Sequence, residues 1–170
     1  LLGSEEKTTT AISEKFKMKA IVSDASKTSI PPLSVDLIVS NNVFEHVYPE
    51  ILKNILTEFK RIAKQGSVMS HFIDMTDHFA HLDKKISIYN FLKFSDRRWK
   101  MIDNSIQPMN RMRIYDYRKI YADLNIPVTE EKNREGNVSE LKQIKLAEKF
   151  LVYSPEQTAI SHSLIISQMV

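Results

Sequence analysis

Two clusters of polar and titratable residues carry the chemistry that this sequence offers. The first is Ser40-Asn41-Asn42, followed closely by Glu45-His46; the second is His71, Asp74, Asp77, His78 and His81. Asparagine amides supply paired donors and acceptors for a bound ligand, and imidazole exchanges a proton near neutral pH. His71 and His78 are therefore candidates for a general base, with hydrogen-bonded structural histidine as the alternative. Asn41 and Asn42 line a cleft or simply make a turn. A metal is the other use for such groups, since Asp74 and His78 are four apart and His78 and His81 three apart. No His-Glu-x-x-His pattern accompanies them and their segment leaves a strand, so the expectation is no metal.

The elements that must position these residues are legible. Leu37-Ile38-Val39 is a short apolar run with β-branched members, the mark of a strand covered on both faces, and it ends at Ser40. Pro49 suits the first turn of a helix in which Ile51, Leu52, Ile55, Leu56, Phe59, Ile62 and Ala63 repeat at helical spacing. Lys60, Arg61 and Lys64 crowd its last turn, and Gly66 is expected to terminate it. The next strand spans 67–73, with Val68, Met69, Phe72 and Ile73 as its buried members. Strand, helix and strand in that order make a parallel pair with both polar clusters beyond its carboxyl ends, where open α/β sheets take ligands.

Around this unit the pattern predicts a helix over 8–16 and a strand over 20–23 ending at Asp24. A turn-rich stretch with Pro31-Pro32 follows. Beyond the second strand come a loop and helix over 86–102, with Ser95 as N-cap of the segment holding Trp99. A helix over 115–124 ends at Asn125, and an edge strand spans 127–131. A further helix starts at Ser139 and carries Leu141, Ile144 and Phe150, and a last strand spans 161–170. Arg111 and Arg113 either grip an acidic group on a ligand or make surface ion pairs.

Composition narrows the function classes. With 170 residues, 42% hydrophobic and 26% charged, the chain reads as one domain, 1–170, with a sizeable core. A net charge of +3 gives no ground for a nucleic-acid partner. The absence of cysteine excludes disulfides and thiolate metal sites. No apolar run reaches membrane-span length, so the expectation is a soluble, cytoplasmic protein with no membrane partner.

Together, Asp24-Ala25, the Pro-containing loop and Val-Asp-Leu-Ile-Val-Ser leading into Glu45-His46-Val47 resemble the class I (Rossmann-like) S-adenosylmethionine-dependent methyltransferases, of the type 11-like group. The resemblance implies an α/β sheet, mostly parallel with its last strand antiparallel, and helices on both faces. It implies S-adenosyl-L-methionine as cofactor, with Asp24 and Ala25 at the adenine and Ser40, Asn41, Asn42 and His46 along the cleft; Glu5 is a candidate for the ribose. Residues 79–113 become a substrate-side insertion, with His71 or His78 as base and Asp74 and Arg111 facing a small-molecule or sugar-like acceptor. The family's Gly-rich loop is not seen among Gly3, Gly66 and Gly136. The expectation is therefore a chain lacking its N-terminal strands. The alternative is a degenerate, non-catalytic fold that acts as a binding module.

Overall fold

A β-α-β unit frames the molecule. In the computed structural model, which describes residues 14–170, β1 (Val35–Asn41) leads through helix α1 (Pro49–Ile62) into β2 (Ala63–Asp74). The two strands pair in parallel, with Ser40 opposite His71 and Asn41 opposite Phe72. Strand β4 (His162–Gln168) pairs antiparallel with β2, and β3 (Glu130–Arg134) antiparallel with β4. The sheet order is β1-β2-β4-β3. Three strands thus run one way and the last opposes them, as the resemblance implies.

Helix α1 begins at Pro49, whose missing N–H costs nothing at that position. Its Leu52, Leu56 and Ile62 are buried against Met69 and Ile73 of β2 and Ile165 of β4. Gly66 is not its terminator. The helix passes directly into β2 at Ala63, and its last carbonyls, those of Arg61 and Ile62, accept from the backbone N–H groups of Leu33 and Ser34. Gly66 instead lies within β2 at φ +79, its N–H donating to the Met169 carbonyl. Lys60 donates to the carbonyl of Leu124, closing the end of a different helix.

Helix α2 (Phe79–Leu82) is one turn, and α3 (Asp96–Ile102) is capped by Ser95, which accepts from the Arg98 N–H. Helix α4 (Ile114–Asp123) packs Tyr117, Ile120 and Tyr121 into the same core as α1, and Asn125 follows it in the left-handed region. The helix expected from Ser139 is only α5 (Val138–Leu141); Phe150 belongs to a separate 3-10 turn, and α6 (Pro155–Ala159) precedes β4. The edge strand begins at Glu130, later than its sequence suggests. A second apolar cluster joins Tyr89, Phe91, Leu92, Trp99 and Met109 to Leu141, Phe150 and Ala159. Among the described residues no helix is long and apolar enough to cross a membrane.

The structure corrects two further sequence expectations. Residues 20–23 form no strand; they are exposed and pair with nothing in the sheet. An extended segment without a ladder partner has no source of strand stability. Nor is β1 covered on both faces: Ile38 is buried, but Leu37 is 59% and Val39 65% exposed. Among the described residues, α1 and α4 share one face of the sheet, and the face bearing Leu37, Val39 and Phe72 is open or half-open.

Candidate functional site

The site lies where β1 and β2 end. After Asn41 the chain turns at Asn42, which takes φ +53 while its N–H still donates to the Phe72 carbonyl. A 3-10 turn, Phe44–His46, follows. Asn110 clamps that turn from outside. Its Nδ2 donates to the carbonyls of Phe44 and Val47, at 2.7 and 2.8 Å, and its backbone N–H donates to that of Glu45. Glu45 is consequently buried, and burial pushes its carboxyl up to about 7. Nδ1 of His46 donates to the Pro108 carbonyl at 2.8 Å, which leaves Nε2 as the free nitrogen, 4.0 Å from Oε1 of Glu45.

Asp74 is the hub of the second cluster. Its Oδ2 lies 3.6 Å from Nε2 of His78 and 3.8 Å from Nε2 of His81. Its Oδ1 accepts from the Thr76 N–H at 2.8 Å and lies 3.6 Å from Nε2 of His162. His162 arrives through strand register, since it stands opposite Asp74 across the β2–β4 ladder. Burial alone would raise the Asp74 carboxyl, but hydrogen bonds from His78 and Thr76 outweigh it and hold the group at about 2. The same bond to Asp74 raises His78 against the opposing effect of its own burial. For His162 burial dominates and lowers the imidazole, despite the nearby carboxylate.

Two adjoining cavities meet at His78. One, of about 310 Å³, is lined by Asn42, Asp74, His78, His81, Leu82 and Gln107. The other, of about 170 Å³, shares His78, Leu82 and Gln107 and extends between Phe79, Trp99, Ile102 and Ile106. Its wall is largely apolar. Gln107 Nε2 stands 3.1 Å from Nδ1 of His78; with the amide donating, that nitrogen is the acceptor and Nε2 carries the proton facing Asp74.

The structure brings Asn42, Asp74 and His78 together on one cavity, with Asn41 exposed beside it. His71 sits elsewhere. Its ring is fully buried, stacked on Phe44 at 4.4 Å and bonded through Nδ1 to the Ser40 hydroxyl at 2.7 Å, and desolvation pushes it down to about 4. His71 and Ser40 therefore face the core rather than the cleft. Arg111 is buried, with both terminal nitrogens of its guanidinium engaged. It donates to the carbonyls of Phe91 and Phe94 and to Asp96, and lies over the Trp99 ring at 4.8 Å. Arg113 is likewise internal, bonded to the carbonyls of Met75, Thr158 and Ile160. Neither arginine lines the two cavities that share His78.

Asp24 is exposed, and its Oδ1 accepts from both the N–H and the hydroxyl of Ser26 at 2.8 Å, so Asp24-Ala25 opens a turn. The hydrogen bond from the Ser26 N–H lowers its carboxyl. The initial helix lies largely, and Glu5 wholly, outside the described residues. Sequence reasoning missed Gln107 and His162. Nothing local marks either one, because each is delivered by the packing of distant segments.

Comparison with known proteins bears on the fold. Residues 4–70 match the family model described as a methyltransferase domain. No curated protein matches the sequence. Among solved structures, the geranyl diphosphate C-methyltransferase of Streptomyces coelicolor A3(2) superposes with a TM-score of 0.56 at 12% identity, over 93% of this chain and 57% of its own. A SAM-dependent methyltransferase from Archaeoglobus fulgidus gives 0.54 at 17% identity, over 95% of this chain and 72% of its own. At these identities the likeness is one of fold, and the chain spans little more than half the length of the first of these structures.

Proposed function

Taking the class I S-adenosylmethionine-dependent methyltransferase fold as the premise, we propose that the protein transfers a methyl group from S-adenosyl-L-methionine to a small-molecule acceptor with an apolar portion. The observation that carries this reading is the position of His78, between Asp74 and the cavity wall, at the carboxyl end of β2. When bound, the cofactor supplies a methyl carbon already activated by its sulfonium. The chain's own residues then have to align the acceptor, exclude water and remove a proton.

The fit to the cofactor is partial among the described residues. Asn41 and Asn42 present free amides at the end of β1, and His46 is held rigidly beside them through Pro108. Asp24 keeps its carboxylate on Ser26 and must turn to serve an adenine. Gly66 and Gly136 form no cradle: the first lies inside β2, and a Cβ on the second would run into the Ala159 carbonyl.

An acceptor hydroxyl that displaces the Gln107 amide donates instead to Nδ1 of His78, the nitrogen that lacks a proton. Transfer of that proton makes an imidazolium, which the ionised Asp74 stabilises through Nε2. Phe79, Leu82, Trp99 and Ile102 hold the rest of the acceptor and exclude water. The protein is tested by calorimetric titration with S-adenosylhomocysteine. Saturable binding to one site, weakened about tenfold by Asn41→Ala, supports the reading. Absence of heat favours the non-catalytic alternative and overturns the proposal.

A further inference from the structure

We propose that Asp74, His78 and His81 form a mononuclear binding site for a divalent transition-metal ion of the Zn²⁺ class, open toward the cavity that Asn42 also lines. The inference rests on the side chains alone and does not need the methyl-transfer reading. Oδ2 of Asp74, Nε2 of His78 and Nε2 of His81 converge, and the ligand atoms of the three residues all lie within 4.8 Å of one another. Ligand atoms about 2.0–2.1 Å from a tetrahedral ion stand roughly 3.3 Å apart. The separations of 3.6 and 3.8 Å are within a few tenths of an ångström of that value.

The second shell is already built. Oδ1 of Asp74 is fixed by the Thr76 N–H and flanked by His162, so the carboxylate presents only Oδ2 to the ion. Nδ1 of His78 is paired with Gln107, whose amide reverses to accept once Nε2 is a ligand. His81 is the exposed ligand. Its side chain is 58% exposed, on the one-turn helix α2, with its Nε2 also 3.2 Å from the Thr76 hydroxyl.

Two imidazoles and one carboxylate with open positions suit Zn²⁺, Fe²⁺ or Co²⁺. Mg²⁺, which demands oxygen ligands, is a poor match. The cavity on the open side is polar at this end and admits a ligand oxygen. On the transfer reading the ion and the proton compete for the same imidazole, so a loaded site silences the base.

The test is titration of the untagged, chelator-treated protein with Co²⁺, followed by visible absorption. The expected result is one Co²⁺ per chain, displaced by Zn²⁺ and indifferent to excess Mg²⁺. Affinity should fall about 100-fold in Asp74→Asn and in His81→Gln, and about tenfold in His162→Gln. His81→Gln is the decisive variant, because the exposed ring contributes little packing and its thermal unfolding should stay unchanged. No saturable Co²⁺ uptake by the wild-type protein, or uptake unaltered by His81→Gln, overturns the site. Either outcome leaves S-adenosylhomocysteine binding untouched and so separates this failure from failure of the methyl-transfer proposal.

Discussion

His71 and His78 lie seven residues apart in one stretch of chain, and their surroundings set them to opposite tasks. Strand alternation turns His71 inward, where it stacks between Phe44 and Phe59 and stays neutral. The unfolded chain protonates it near 6.5, whereas the folded chain does so only near 4. Between those values the unfolded state holds the extra proton. Stability from this group is therefore complete above the upper value and declines as pH falls through the window, by on the order of 3 kcal/mol. His71→Leu removes that slope. Urea unfolding at stepped pH should show wild type losing stability toward acid faster than the variant, and parallel curves would contradict the assignment. His78, past the strand, meets Asp74 and the cavity instead.

At the level of elements, the 3-10 turn after β1 depends on Asn110 more than on its own sequence. Asn110→Ala removes the side-chain donor from the carbonyls of Phe44 and Val47, leaving the first only the Val47 N–H, and should cost about 2 kcal/mol. A chemical denaturation midpoint measures this, and an unchanged midpoint would show that water replaces the clamp. The β-α-β unit that carries this turn was readable because α1 repeats its apolar residues at helical spacing and Pro49 marks its start. Asn125 and Ser95 were readable for the same kind of local reason. Residues 20–23 were misjudged because apolar, β-branched character says nothing about whether a neighbouring strand is present. The inward turn of Arg111 was also hidden, since its partners Phe91, Phe94 and Asp96 lie 15–20 positions away and are brought close only by tertiary packing. His162 joined Asp74 through the β2–β4 register, which no single segment encodes.

Across the whole molecule, the polar ends of β1 and β2, the clamped turn and the insertion bearing Trp99 and Gln107 converge on one edge of the sheet. One sheet face is packed by α1 and α4, while Leu37 and Val39 stay exposed on the other. The asymmetry leaves the carboxyl-end cleft as the place where polar groups and an apolar cavity coincide. Hydrogen–deuterium exchange, read by mass spectrometry with and without S-adenosylhomocysteine, tests that location directly. The account predicts slowed exchange over residues 40–47 and 74–82, with the amides of β3 unaffected. Protection confined to β3 or to α6, with residues 40–47 unchanged, would contradict it.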